Sequence, residues 1–137
     1  MAQIVLDASV VAKLFLKEEG SAIAIRLKDG HVEGKIEIVA PSLMKYELIS
    51  ALKSKNFSKN EIKLALEVVR DYGFSIMELD DALFDKVAEL SIDYNLSAYD
   101  AAYIALAEDT GVILCTADEK MHGKVKKLGF VRLLSEF

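Results

Sequence analysis

Short apolar runs rich in branched residues alternate with longer stretches in which apolar residues recur every three or four positions, from one end of the chain to the other. The runs QIVL, IEIVA, FSIMEL, VILCT and FVRLL read as five strands, largely apolar rather than alternating and therefore covered on both faces. Helices read between them. DASVVAKLFLKEEG puts Val10, Val11, Leu14 and Phe15 on one face and stops at Gly20. SAIAIRLKDG carries Ile23, Ile25 and Leu27, ends at Gly30 and gives way to a loop, HVEGK. Pro41 stands at the entrance of LMKYELISALKSK, where its missing N–H costs little, and Ser42 offers an N-cap. That helix offers Leu43, Tyr46, Leu48, Ile49 and Leu52 to a core.

SKNEIKLALEVVRDYG opens with a capping box, Ser58 to Glu61, places Ile62, Ala65, Leu66 and Val69 at helical spacing and stops at Gly73. DDALFDKVAELSIDYN follows, with Phe84, Val87, Ala88 and Ser91 on one face and Asn95 as a left-handed cap. SAYDAAYIALAEDTG opens at Ser97 and closes at Gly111, and ADEKMHGKVKKLG is a weaker helix containing Gly123. Strands separated by helices define an α/β fold, a Rossmann-like three-layer sandwich whose five-stranded, mainly parallel sheet has helices on both faces. Residues 1–137 read as one domain of that kind, without linkers or repeats, and strand order stays open.

Right-handed crossovers bring the carboxyl ends of all strands to one edge, where open α/β sheets bind ligands. Four acids recur at that position: Asp7 after QIVL, Glu47 after IEIVAP, Asp100 in LSAYDAAYIAL and Asp118 after VILCTA. Singly, each has a plainer explanation. Asp7 and Asp118 suit N-caps, and Asp100, three residues after Ser97, suits a first helical turn. Thr116 with Glu119 also fits a capping box, which leaves Asp118 without a clear capping duty. Glu47 discriminates best, because it lies about two turns into its helix, too deep to cap it.

Composition changes this picture little. The 137 residues are 53% hydrophobic and 28% charged, enough for a sizeable core. The single Cys115, inside VILC, excludes an intrachain disulfide and reads as a buried, inert thiol. His31 and His122 lie in polar, glycine-flanked stretches and read as surface residues. No signal peptide or membrane-length apolar run is evident, so a cytoplasmic protein is expected. A net charge of −5 argues against holding nucleic acid by bulk electrostatics, but acids gathered around a cation lower the formal charge while the ion reverses it locally.

Converging carboxylates repel unless a cation joins them, and hard Mg²⁺ or Mn²⁺ suits oxygen ligands while leaving positions for phosphate oxygens. The chemistry that fits is metal-assisted hydrolysis of a phosphodiester. The hydroxyls of Ser9 and Thr116, beside Asp7 and Asp118, would cap helices or orient a water, a carboxylate or a phosphate. VLDASVV, PSLMKYEL, SAYDAAYIALA and LCTADEKM, in that order, resemble the PIN-domain family, and most closely the VapC-type toxins of prokaryotic toxin–antitoxin pairs. The resemblance runs from Gln3 to the last strand. It implies a Mg²⁺- or Mn²⁺-dependent endoribonuclease acting on RNA, a homodimer, and a cognate antitoxin that occludes the site. By position it makes Asp7, Glu47, Asp100 and Asp118 the metal-binding and catalytic acids, with Thr116 the accompanying hydroxyl.

Two other readings compete. One is a catalytically inactive PIN-like domain that binds protein or RNA. The other is a phosphatase using Asp7 as nucleophile, although such enzymes resemble a DxD pattern and Ser9 holds its second position here. The lysines (Lys45, Lys53, Lys55, Lys59, Lys63, Lys120, Lys124, Lys126 and Lys127) read as solvated helix faces, some flanking an RNA path. Tyr46, Tyr99 and Tyr103 adjoin the proposed site and suit base stacking less well than core or dimer packing. Apolar residues on more than one face around Leu48–Ala51 and Leu64–Val68 suit a homodimer or an antitoxin groove.

Overall fold

The computed structural model describes residues 2–137. Five strands form one parallel sheet: β1 (Ala2–Leu6), β2 (Ile36–Pro41), β3 (Ser75–Met77), β4 (Ile113–Thr116) and β5 (Val131–Leu133), in the order β3-β2-β1-β4-β5. Seven α-helices connect them: α1 (Ala8–Ala12), α2 (Ser21–Val32), α3 (Leu43–Ser54), α4 (Lys59–Tyr72), α5 (Asp81–Tyr94), α6 (Ala98–Thr110) and α7 (Glu119–Val125). The three-layer α/β architecture expected from the alternating pattern is the one observed. The chain leaves β1 towards β2 and β3, then returns through α5 and α6 to place β4 on the other side of β1. The strand order thus reverses between β1 and β4, and open α/β sheets bind their ligands outside the carboxyl ends of the strands at such a point.

The core follows from the apolar runs. Val5, Leu6, Ile38, Val39, Leu114 and Cys115 are buried in the three central strands, and α6 buries the whole stretch Ala101–Ala107. A helix with no polar face lies against the middle of the sheet, and α6 does so over β1, β2 and β4 while packing against α5. Met44, Leu48 and Leu52 form the buried stripe of α3, as do Ala65 and Val69 in α4. The Ser58–Glu61 capping box is complete, at 3.1 and 2.8 Å, and Gly73, Asn95 and Gly111 end their helices with positive φ.

Several local expectations give way. The first helix is only α1 plus a 3₁₀ turn, Lys13–Phe15. Gly30 does not end α2, which runs on to Val32 before the chain reverses at Gly34. Pro41 closes β2 instead of opening α3, and Ser42, already helical, donates its hydroxyl to Glu78 at 3.0 Å in place of capping. The buried face of α5 is Leu83, Val87 and Leu90, so Phe84 and Ala88 face outwards. His31 is not a free surface residue. Its Nδ1 accepts the Ile38 N–H at 2.9 Å, its Nε2 lies 3.2 Å from the Gly73 carbonyl, and its ring meets Phe74 edge-on. It ties α2 to β2 and to the start of β3, a role invisible in DGHVEG.

Candidate active site

Asp7 follows the last residue of β1 and caps α1. Its Oδ1 accepts the N–H groups of Ser9 (3.1 Å) and Val10 (3.3 Å) and the Ser9 hydroxyl. It is 4% exposed. Burial pushes its pKa up to about 6, against the lowering pull of its bonds to Ser9, Thr116 and Val10, and the charge of Asp100 adds to the rise. Ser9 works twice, because its Oγ also accepts the Ala117 N–H at 3.0 Å and so joins the ends of β1 and β4. The backbone makes the same join where the Asp7 N–H meets the Cys115 carbonyl at 3.3 Å.

Thr116 ends β4 wholly buried, its hydroxyl beside the Asp7 carboxylate, with its Oγ1 accepting the Asp118 N–H at 3.0 Å. It does not start a capping box. The N-cap of α7 is Asp118, whose Oδ1 accepts the Met121 N–H at 3.0 Å, so Asp118 has the capping duty that seemed to be missing. That bond engages Oδ1, and the half-buried Asp118 keeps Oδ2 for other partners.

Asp100 is in the first turn of α6. Ser97 caps the helix by accepting the Asp100 N–H at 3.1 Å, and among the described residues the Ser97 N–H donates no return bond to the Asp100 carboxylate. Burial raises its pKa first and the Asp118 charge second, with Ser97 and Lys124 opposing. Glu47 is the fifth residue of α3, beside the buried Met44 and Leu48. Its pKa is raised by burial and then by Asp100, while the Tyr103 hydroxyl pulls the other way. Asp100 is therefore the hub: its charge reaches Asp7 and Glu47, and Asp118's charge reaches it.

All four acids lie beyond the carboxyl ends of the strands, coupled through Asp100. Among the described residues none of them joins a Lys, Arg or His in an ion pair. Also among these residues, no three Asp, Glu, His or Cys side chains stand close enough to form a ready-made metal cage. The donor chemistry fits a hard divalent cation all the same: every candidate ligand is a carboxylate, and three of them are held at raised pKa with no counter-charge bonded to them.

Of the neighbouring aromatics, Tyr46 and Tyr99 are 75% and 60% exposed, whereas Tyr103 is buried and cannot stack on a base. An apolar groove of about 290 Å³, walled by Pro41, Leu43, Leu79, Phe84 and Tyr99, opens beside Asp100. Cys115 is buried and in no disulfide, its thiol pushed well above the usual range by burial, as expected of an inert core cysteine. The lysines singled out on α3 and α4 are exposed, and among the described residues no helix is long and apolar enough to cross a membrane.

A parallel α/β sheet whose switch-point crevice is lined by acids defines a class of Rossmann-like domain. The chain belongs to the PIN-domain family, whose pattern matches residues 4–127. It is 30% identical over 132 residues to ribonuclease VapC3 of Pyrobaculum aerophilum, covering 92% of this chain and 97% of that protein. Its fold is similar to that of the sarcin–ricin-loop-cleaving toxin VapC20 of Mycobacterium tuberculosis, at TM-score 0.71 and 16% identity over 93% of this chain and 96% of that one. It is also similar to a chain from a toxin–antitoxin complex of Klebsiella pneumoniae, at TM-score 0.69 and 13% identity, covering 96% and 97%.

Proposed function

We propose that this chain is a divalent-cation-dependent endoribonuclease that hydrolyses RNA phosphodiester bonds and serves as the toxin of a type II toxin–antitoxin pair in the cytoplasm. The observation that carries the reading is the set of four acids at the switch point, coupled through Asp100 and lacking any bonded counter-charge. Folding alone gives no reason to withdraw Asp7, Glu47 and Asp100 from water within reach of one another's charge, whereas a site that recruits a cation does. The ribonuclease relative supplies the reaction class.

Asp7, Glu47, Asp100 and Asp118 would hold Mg²⁺ or Mn²⁺. When bound, the ion supplies positive charge to phosphate oxygens and acidifies a water. Asp7 is ionised at neutral pH despite its raised pKa and is fixed in place by Ser9 and the Val10 N–H. Buried Thr116 acts through Asp7 and Asp118 rather than on substrate. Glu47 and Asp100, half-exposed and borne on two different helices, can turn towards Asp7 once repulsion between them is relieved. Exposed lysines such as Lys45 offer contacts to the RNA backbone that carry no sequence information.

The exposed surface supports the proposed partners. Tyr46, Ile49 and Leu64 expose apolar area on α3 and α4, which suits a second copy of the chain. An antitoxin is proposed from the toxin–antitoxin setting of the Klebsiella fold neighbour. The test is cleavage of structured RNAs by wild type, Asp7→Asn and Asp100→Asn with Mn²⁺, Mg²⁺ or EDTA. The expected result is cleavage by wild type with metal only. Cleavage undiminished in EDTA or in both variants removes the mechanism. RNA binding without any turnover makes the chain a binding module instead.

A further inference from the structure

One polar atom at the carboxyl edge of the sheet has no structural employment. Tyr103 lies in the all-buried stretch of α6 and is 1% exposed, and its hydroxyl has no hydrogen-bond partner among the described residues. Phenylalanine would fill the same space without burying an unpaired O–H, which is costly in a protein interior. The hydroxyl is nevertheless not in apolar surroundings. Glu47 stands next to it without meeting hydrogen-bond geometry, the Ala8 backbone N–H approaches it, and the charge of Asp7 reaches it. Tyr103 is three residues beyond Asp100 on α6, and its hydroxyl neighbours Ala8 of α1 and Glu47 of α3.

Two of the other acids have donors in bonding geometry: Asp7 has the Ser9 hydroxyl and N–H, and Asp118 has the Met121 N–H, while the Ser97 hydroxyl stands beside Asp100. Glu47 has no donor in bonding geometry among the described residues, and the Tyr103 O–H stands beside it. A carboxylate that shares a cation needs its orientation fixed by a donor behind it. We infer that Tyr103 is a positioning residue whose O–H donates to the Glu47 carboxylate when that side chain turns into the cation site. The unpaired hydroxyl is then a donor held in place before its partner arrives. This inference rests on the proposed cation site.

The test compares wild type and Tyr103→Phe by thermal melting without metal, by Mn²⁺ affinity in calorimetry, and by the side-chain carboxyl carbon resonances of the Mg²⁺-loaded proteins. The expected result is a metal-free melting temperature unchanged or raised, since the variant loses only an unpaired group. Mn²⁺ affinity falls about tenfold or more, the usual consequence of removing a donor behind a metal ligand. The Glu47 carboxyl resonance moves and that of Asp118 does not. Unchanged Mn²⁺ affinity overturns the inference. So does a lower metal-free melting temperature, which would mean the hydroxyl already has a partner, or a loss of affinity with the Glu47 resonance unmoved. If wild type binds no Mn²⁺, the cation site itself fails and this inference fails with it.

Discussion

Both ends of the central sheet carry carboxylates, and the two ends treat them in opposite ways. Near the start of β2, Glu37 accepts bonds from the Ser75 hydroxyl and from the Gln3 amide (3.1 Å), and these neutral donors hold its pKa below the usual carboxylate range. At the other end, burial pushes Asp7 up to about 6 and raises Glu47 and Asp100 as well. The same sheet can evidently satisfy an acid with donors at its rim. Where it withdraws acids from water and sets them against one another, their carboxyls are held above the usual range instead. The asymmetry sets the two groups of carboxylates apart without reference to any relative.

The contrast should be largest in catalysis. Asp7→Asn or Asp100→Asn is expected to reduce Mn²⁺-supported RNA cleavage by roughly a thousandfold or more, about 4 kcal/mol of transition-state stabilisation. Glu37→Gln should leave cleavage unchanged. Asn is as good an N-cap as Asp, so Asp7→Asn should fold normally. Timed cleavage of one RNA by the three proteins decides this, and comparable losses in all three would erase the distinction between the two ends.

The next effect is on stability against pH in the metal-free protein. The folded-state pKa of Asp7 is about 6, above its unfolded value of 3.8. The native state therefore binds the extra proton between those values, and stability falls as pH rises from about 4 to about 6. The loss attributable to Asp7 is at most roughly 3 kcal/mol. Asp7→Asn should abolish that slope in urea titrations over this range. Glu37 has the opposite sign: its folded pKa is lowered, so its contribution is present above the unfolded pKa and is lost on acidification. A wild-type curve no steeper than that of Asp7→Asn would contradict the assigned burial penalty.

Thr116→Val tests the support beneath the rim. It removes the hydroxyl beside Asp7 and leaves the Asp118 N–H without its acceptor, so about 1–2 kcal/mol of stability should be lost by chemical denaturation. The smallest effect belongs to Ser75→Ala, where one bond to a water-accessible carboxylate disappears, changing stability by about 0.5 kcal/mol or less and cleavage not at all.

Much of this was legible in the residues. Uninterrupted apolar strands called for a sheet covered on both faces, and β–α alternation called for a parallel one, which gathers Asp7, Glu47, Asp100 and Asp118 at one edge. Strand order was not legible, because every parallel pairing buries VILC and QIVL equally well. The misreadings were local. Either Thr116 or Asp118 can cap α7 by composition, and only backbone geometry decides between them. His31 looked like surface because its partners, Ile38, Gly73 and Phe74, are distant in sequence. The employment of Tyr103 left one trace: a tyrosine in a stretch, Ala101–Ala107, that otherwise admits only apolar side chains.

In the proposed function the acids at the carboxyl edge, and not those at the amino edge, form a cation site. Calorimetric titration of Mn²⁺ into metal-free wild type, Asp100→Asn and Glu37→Gln near neutral pH tests it most directly. The account predicts saturable binding by wild type and Glu37→Gln with equal affinity, and binding at least about tenfold weaker in Asp100→Asn, which removes the hub of the set. Equal affinity in all three proteins, or no saturable binding by wild type, would contradict it.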